Sequence, residues 1–381
     1  MSAPSNTFNY AGIALKESAE GNPMKPTLMI KYNDWETGDE IENEEDTGHV
    51  GGPSNIIAQD RSSAKAEPNF KDKLRYNEGL ELLLYGLLGG DIRGTPVSGK
   101  TGLYEYTWSN ANTDELPLFT LLQGFNQWTQ PLVDDQNNVL KQAVKPIIID
   151  NQVINELEID LNSDGDLSIS PSFNGDYPRF NIPPADPTLN YKQKSSKIRA
   201  SHISVFIGDP DLTLQELTQS DCTKEIKITL SNNLENSTCF GNDLGKNTVD
   251  KTNFTGDVEL TLEMNRQNLL NKAKFATGSV DGTDISPESY VQQVYIVMNG
   301  PVILDGNLEP TQENYYLSIH LPTVNIDEYT PSTSGDDAAT VEVKGSLLQD
   351  VLGGAPVEVK CITNIPTVTG LANIYGEAYS S

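Results

Sequence analysis

The residues able to do chemistry in this chain fall into a few groups. Gly94-Thr-Pro-Val-Ser-Gly99-Lys100-Thr101 fits the phosphate-loop pattern letter for letter. Ile147-Ile148-Ile149-Asp150 resembles the acidic strand end that would position a magnesium ion. That chemistry needs a strand, then the loop, then a helix whose N-terminus holds the phosphates. Here a leucine-rich helical pattern precedes the motif and the β-like LYEYTW follows it. Pro96 also removes one amide donor. The order of elements argues for a Gly/Pro loop and against a nucleotide site. Asp160-Leu-Asn162-Ser-Asp164-Gly165-Asp166 begins like a calcium loop. The glutamate expected at the twelfth position is Pro171, and strand patterns flank the run. A tight turn using the Asp/Gly preference for positive φ accounts for the same letters.

The remaining groups are weaker still. Carboxylates are so abundant that an acid–base pair can be drawn almost anywhere, so they carry no catalytic signal without spacing. His49, His202 and His320 are scattered, with no metal-ligand spacing. Cys222, Cys239 and Cys361 form an odd, sparse set, as expected in a reducing compartment without a disulfide framework. Asn236-Ser-Thr238 and Asn253-Phe-Thr255 fit the glycosylation pattern. The start, MSAPSNTFNYAGIAL, has no basic region followed by an apolar core, so no secretory leader is expected and those matches are read as chance. No enzyme activity, metal or cofactor is expected from these residues.

Composition narrows the classes further. Acids outnumber bases 54 to 26 in 381 residues, a formal net charge of −28. A generic nucleic-acid clamp needs a basic face to displace counterions, and this chain has none to spare. Binding to an anionic membrane surface is disfavoured in the same way. The longest largely apolar stretch, Leu80 to Leu88, is far short of the ~20 residues of a membrane span.

The elements that must position any site are mostly strands. Asn77 reads as an N-cap, with Glu78 and Glu81 in the first turn and a leucine stripe at 80, 83, 84, 87 and 88, which Gly89 and Gly90 terminate. This predicts a helix over 77–88. Strands are expected over 27–32, 66–76, 103–108, 116–123, 124–130, 153–160, 167–173, 202–208, 225–231, 257–263, 293–298, 315–321, 340–344 and 356–363. Many alternate polar and apolar residues with period two, the pattern of sheets with one face in a core and one face wet. The turn LNSDGD joins 153–160 to 167–173 as a hairpin. Short helices are expected near 265–273, from Ser286–Pro287, and over 346–352. Residues 1–26 read as an extended arm. Asp34 to Asp46 repels itself and reads as a solvated loop, continued by an irregular stretch to 65. The loop 174–200 turns basic at Lys192, Lys194, Lys197 and Arg199.

Several blocks together resemble a known family. IIAQDRSSAKAEPNFKDKLRYNEGLELLLYGLLGG (56–90) is similar to the strand-then-helix block of phage tail tube proteins, the major tail proteins of long-tailed phages. VINELEIDLNSDGDLSISPSFNG (153–175) resembles their central hairpin. HISVFIGD (202–209), EIKITLSNNLEN (225–236) and FTGDVELTLE (254–263) resemble later strands and an "NNLE" turn. YYLSIHLPTVNIDEY (315–329), VEVKGSLLQD (341–350) and APVEVKCITN (355–364) resemble the C-terminal strands. The blocks run in the same order over roughly 25–365.

The resemblance implies a mainly β fold: a tail-tube-type β-barrel or sandwich with a flanking α-helix and long extended loops. The arm 1–26 would precede a single elaborated domain at 27–375, with a tail at 376–381. It implies a structural virion protein of the tail, assembled in the host cytoplasm. Its partners would be its own copies, in a ring (a hexamer by family habit) and in stacked rings, with a tape-measure protein, a tail terminator and baseplate or tip proteins. DNA would pass through the lumen without specific binding. Glu156, Glu158, Asp160, Glu259 and Glu263 are the candidate lumen-facing acids, with an ordinary outer surface as the alternative. Asp39, Glu40, Glu42, Glu44 and Glu45 would meet Lys192, Lys194, Lys197 and Arg199 of an adjacent ring. Another tail component (tip, adaptor or decoration) and a soluble β-sandwich carbohydrate-binding module are the competing functions.

Overall fold

Period-two alternation is what builds this molecule, and three strands, Ile147–Asn162, Val291–Leu304 and Pro310–Ser332, run well past the stretches expected from the sequence. The computed structural model describes residues 9–16, 23–24, 26, 28–30, 32–46, 58–76, 79–110, 116–125, 132–133, 139–141, 147–165, 167–177, 196–220, 223–237, 248–263, 291–304, 310–332, 339–349 and 354–367. In chain order the first strands are β1 (Asn9–Lys16), β2 (Leu28–Ile30), β3 (Asp34–Glu36), β4 (Asp39–Asp46), β5 (Ala58–Ala66), β6 (Asn69–Lys73) and β7 (Arg75–Tyr76). Helix α1 (Leu80–Leu88) follows, then β8 (Thr95–Pro96), β9 (Tyr104–Ser109), β10 (Leu118–Phe125), β11 (Leu132–Val133), β12 (Val139–Lys141), β13 (Ile147–Asn162) and β14 (Ser168–Asn174). The second half holds β15 (Ser196–Lys197), β16 (Ile203–Gly208), β17 (Thr218–Gln219), β18 (Thr223–Ser231), β19 (Leu234–Ser237), β20 (Thr248–Lys251), β21 (Thr255–Glu263), β22 (Val291–Leu304), β23 (Pro310–Ser332), β24 (Thr340–Leu347) and β25 (Glu358–Thr363). The fold is mainly β with one flanking helix among the described residues. That helix is too short to cross a membrane.

Two long strands organise the pairing. The first half of β13 pairs with β10, which pairs with β1. Its second half lies between β14 and β18. From β18 the antiparallel order continues through β21 and β24 to the C-terminal part of β23. The N-terminal part of β23 instead lies between β22 and β25, with β16 beyond β22 and β9 beyond β25. The ladders thus form two arms joined by β23, and their apolar faces meet. Val258, Leu260, Leu262 and Val343 from one arm line a cavity together with Ile207 and Val294 from the other. Each fully buried Ile or Leu contributes about 1.5–3 kcal/mol relative to exposure.

The helix is enclosed rather than amphipathic: Leu80, Leu82, Leu83, Leu84, Leu87 and Leu88 are all buried. Gly86 allows its approach to the sheet. A β-carbon there would sit 2.6 Å from Ile154 and 2.7 Å from Phe119. Asn232 ties the same region together, its amide donating 3.0 Å bonds to the carbonyls of Leu87 and Ile154.

Several expectations need correction. The helix begins at Leu80 with Gly79 at its cap, while Asn77 and Glu78 lie outside the described residues. The acidic stretch is not a loop: β4 pairs along its whole length with β5, which places Lys65 opposite Glu40 and Arg61 opposite Asn43. The N-terminal stretch is not a free arm, because β1 runs between β10 and β2 and buries Ala11, Ile13 and Leu15. Ser346 and Leu347 belong to β24, so no helix starts there. The helices expected near 265–273 and from 286, and the C-terminal tail 376–381, lie outside the described residues, as does most of the loop 174–200.

Candidate functional site

The sequence motifs resolve first. The phosphate-loop look-alike is the tip of a small hairpin, in which Thr95 pairs with Glu105 and Pro96 with Tyr104. Lys100 is engaged by Glu313 at 2.6 Å. Asp150, its supposed magnesium partner, is buried elsewhere against Lys16. The end of β13 turns at 162–165, where the Asp164 N–H donates to the Asn162 side chain at 2.9 Å. Among the described residues no three or more His, Cys, Asp or Glu side chains gather as metal ligands. Cys361 is buried with a free thiol, which burial pushes well above its usual range.

The five acids proposed for a lumen lie on one face of the sheet. Along β13, Leu157, Ile159 and Leu161 point to the core, and Glu156, Glu158, Asp160 and Asn162 point out. The same alternation exposes Glu225, Lys227 and Thr229 on β18, Asp257, Glu259, Thr261 and Glu263 on β21, and Glu342, Lys344 and Ser346 on β24. Register then makes rows across the sheet. Asp160, Lys227, Glu259, Lys344 and Glu328 stand opposite one another in turn. The next row runs Glu158, Thr229, Asp257, Ser346 and Asn325. The face therefore carries carboxylates, lysines and small hydroxyls, with no aromatic side chain on β13, β18, β21 or β24.

Three lysines hold this array together. Lys227 reaches Glu158 at 2.8 Å, Lys344 reaches Glu259 at 3.4 Å, and Lys224 reaches Glu263 at 3.8 Å. These pairs are solvent-exposed and each adds at most about 1 kcal/mol. The hydrogen bond to Glu158 raises the Lys227 pKa, so this lysine stays charged. Glu156 is shifted upward, mainly by burial and then by repulsion from Glu158. Carboxylates remain in clear excess. Their field repels phosphates and gives an anionic polymer no aromatic surface on which to stack.

The expected inter-ring set divides differently. Asp39 and Glu40 are exposed at the start of β4, with Lys65 bonding Glu40 at 3.1 Å. Glu42, Glu44 and Glu45 lie on the same strand, paired with β5. Lys197 pairs opposite Arg75 through β15 and β7, and Arg199 follows it, both exposed. Lys192 and Lys194 lie outside the described residues. Among the described residues, Lys197 and Arg199 form no ion pair with Asp39 or Glu40, and Glu40 is held by Lys65.

Sequence reasoning missed two sites. On the outer face of the other arm, His320 stacks on Tyr295 with ring centres 3.7 Å apart. Its ring nitrogens meet Gln293 at 3.1 Å and Glu358 at 3.4 Å. The only signal was alternation, which places Tyr295 and His320 outward on β22 and β23 without showing that they are opposite. The other site is the buried Lys16–Asp150 pair, joining residues 134 positions apart. No local pattern announces it.

Compared with known protein families, the chain matches no family model, and no curated protein matches it significantly.

Proposed function

We propose that this chain is a tube-forming structural protein of a phage tail, whose copies form stacked rings around a channel for DNA. The observation that supports this most is the acidic, aromatic-free outer face of β13, β18, β21 and β24. Such a wall lets a phosphate polymer slide, because it offers neither counterion release nor stacking. On this reading Glu156, Glu158, Asp160, Glu259 and Glu263 face the channel. Ring closure also disposes of sheet edges that otherwise invite uncontrolled pairing. Across rings, the acids of β4 meet the basic stretch at 192–199. The partners are further copies, a tape-measure protein, a terminator and baseplate or tip proteins.

A carbohydrate-binding module is the second reading. It is favoured by the Tyr295–His320 stack with the exposed Glu358 carboxylate beside it, an aromatic pair with a polar neighbour. One experiment separates the two: negative-stain microscopy of the full chain over a concentration series, alone and with baseplate and tape-measure proteins. Rings or hollow tubes are expected. Reversing either the β4 acids or the 192–199 bases is expected to block stacking, and reversing both to restore it. A monomer that never assembles with those partners, yet binds sugar saturably, refutes the tube reading.

A further inference from the structure

We infer that Lys16 and Asn151 form an intramolecular amide crosslink that joins β1 covalently to β13. The inference stands apart from the tube reading and rests on one buried cluster. Lys16 is 5 % exposed and Asp150 1 %. The Lys16 Nζ lies 2.6 Å from Asp150 Oδ2 and 2.7 Å from Asn151 Oδ1. Thr120 Oγ1 donates to the other Asp150 oxygen at 2.6 Å. On the far side, Asn151 Nδ2 donates to Asp176 Oδ2 at 2.8 Å. Gln152 Nε2 bonds the backbone carbonyls of Asp150 and Asp176, fixing both acid-bearing segments.

The backbone explains why two consecutive side chains converge on one lysine. In a regular strand neighbours point to opposite faces. Here Leu121 pairs with Ile149 and Phe119 with Gln152, so Asp150 and Asn151 both stand opposite Thr120 in a bulge. Asn151 takes a left-handed conformation with φ 51°, which asparagine tolerates better than most residues. Bulges of this kind re-aim a side chain. Lys16 reaches them by crossing over β10, the strand between β1 and β13.

The arrangement has the parts of an aminolysis site. With a carbonyl bond of about 1.2 Å, a nitrogen held at Oδ1 sits about 3–4 Å from the carbonyl carbon, close to a reacting separation. The Lys16 ammonium passes a proton to Asp150, which leaves a neutral amine beside a neutral acid. In a buried site this removes two charges at once. The amine lone pair attacks Cγ of Asn151 and the C=O π pair moves to Oδ1. Collapse of that tetrahedral carbon re-forms C=O and breaks the Cγ–Nδ2 bond. One proton from Nζ passes through the flanking carboxyl groups to Nδ2, which leaves with its bonding pair as ammonia. Ammonia takes the proton from Asp150 and departs as ammonium. The net change is lysine ammonium plus asparagine carboxamide giving a secondary amide plus ammonium. Asn151 is only half-buried, so the product has an exit.

Intact-mass measurement of the denatured full chain, with tryptic mapping, tests this directly. A mass lower by ~17 Da, one ammonia, is expected. A branched peptide joining Lys16 to Asn151 and loss of tryptic cleavage after Lys16 should accompany it. Lys16→Ala should restore the full mass. An unmodified mass with normal cleavage after Lys16 overturns the inference. So does a loss of ammonia that persists in Lys16→Ala, which marks a succinimide. A water-loss link between Lys16 and Asp150 overturns the choice of Asn151. The map of the natural chain decides even if the variant fails to fold.

Discussion

The two arms of the sheet share a core and differ completely outside. On β18 and β21 the outward positions alternate Glu, Lys, Thr and Asp, and the inward ones are Ile, Leu and Val. On β16, β22 and β23 the inward residues are of the same kind, Val205, Ile296 and Ile319. The outward row instead reads Phe206, Tyr295, His320 and then Glu358 on β25. The inner pattern answers to packing, which both arms need alike. The outer pattern is free of that demand, so the contrast there records what each face meets. One face carries carboxylates in excess, and the other carries rings and hydrogen-bonding groups.

The comparison can be broken most directly through the shared core. Leu260→Ala on the acidic arm and Ile319→Ala on the other should each cost about 2–5 kcal/mol. Both should shift a single cooperative urea transition. Two separate transitions would show that the arms are independent units. A smaller but more specific effect concerns the acidic face. Reversing Glu158, Asp257 and Glu259 to lysine should leave the core intact and turn a repelling surface into a retaining one. Retention of DNA on the variant at low salt, lost as salt rises, is the expected reading. Equal behaviour of the natural and reversed chains would remove the functional meaning of this face.

The smallest effect is in pH, where the two faces should act in opposite directions. Burial lowers the His320 pKa below its ordinary value near 6.5 despite the Glu358 contact. The unfolded chain then binds the proton more readily, so stability falls as pH drops below about 6.5. His320→Gln should flatten that slope. Glu156 is raised above its ordinary value near 4.5, so the folded state holds its proton more tightly. Its contribution is present below 4.5 and is lost as pH rises through the folded value. Glu156→Gln should remove that loss, as seen in melting temperatures between pH 4 and 7.

Much of this was legible in residue order. Alternation located β18, β21 and β25 nearly to their ends, and the leucine stripe located α1. The acidic face was legible in part, since Glu156, Glu158 and Asp160 share a period. What escaped was pairing at a distance. Asp34 to Asp46 looks self-repelling until β5 pairs along Asp39 to Asp46 and sets Lys65 opposite Glu40. β1 looks like an arm until it pairs with β10 and its Ala11, Ile13 and Leu15 enter the core. The bulge at Asp150–Asn151 has no sequence signature, because it exists only relative to Thr120.

The same long-range pairing sets how the chain must fold. β4 with β5, and β13 with β14, are hairpins of near neighbours that can zip within microseconds. β9 waits for β25, since Tyr104 pairs with Thr363, and β1 waits for β10. Closing such loops consumes chain entropy before any contact repays it, which places folding in the slow regime of high contact order. Until β25 arrives, one edge of β9 and one edge of β23 stand open together. In a crowded cell that interval is when a second copy could insert its own strand, so the order of closure matters as much as the final sheet.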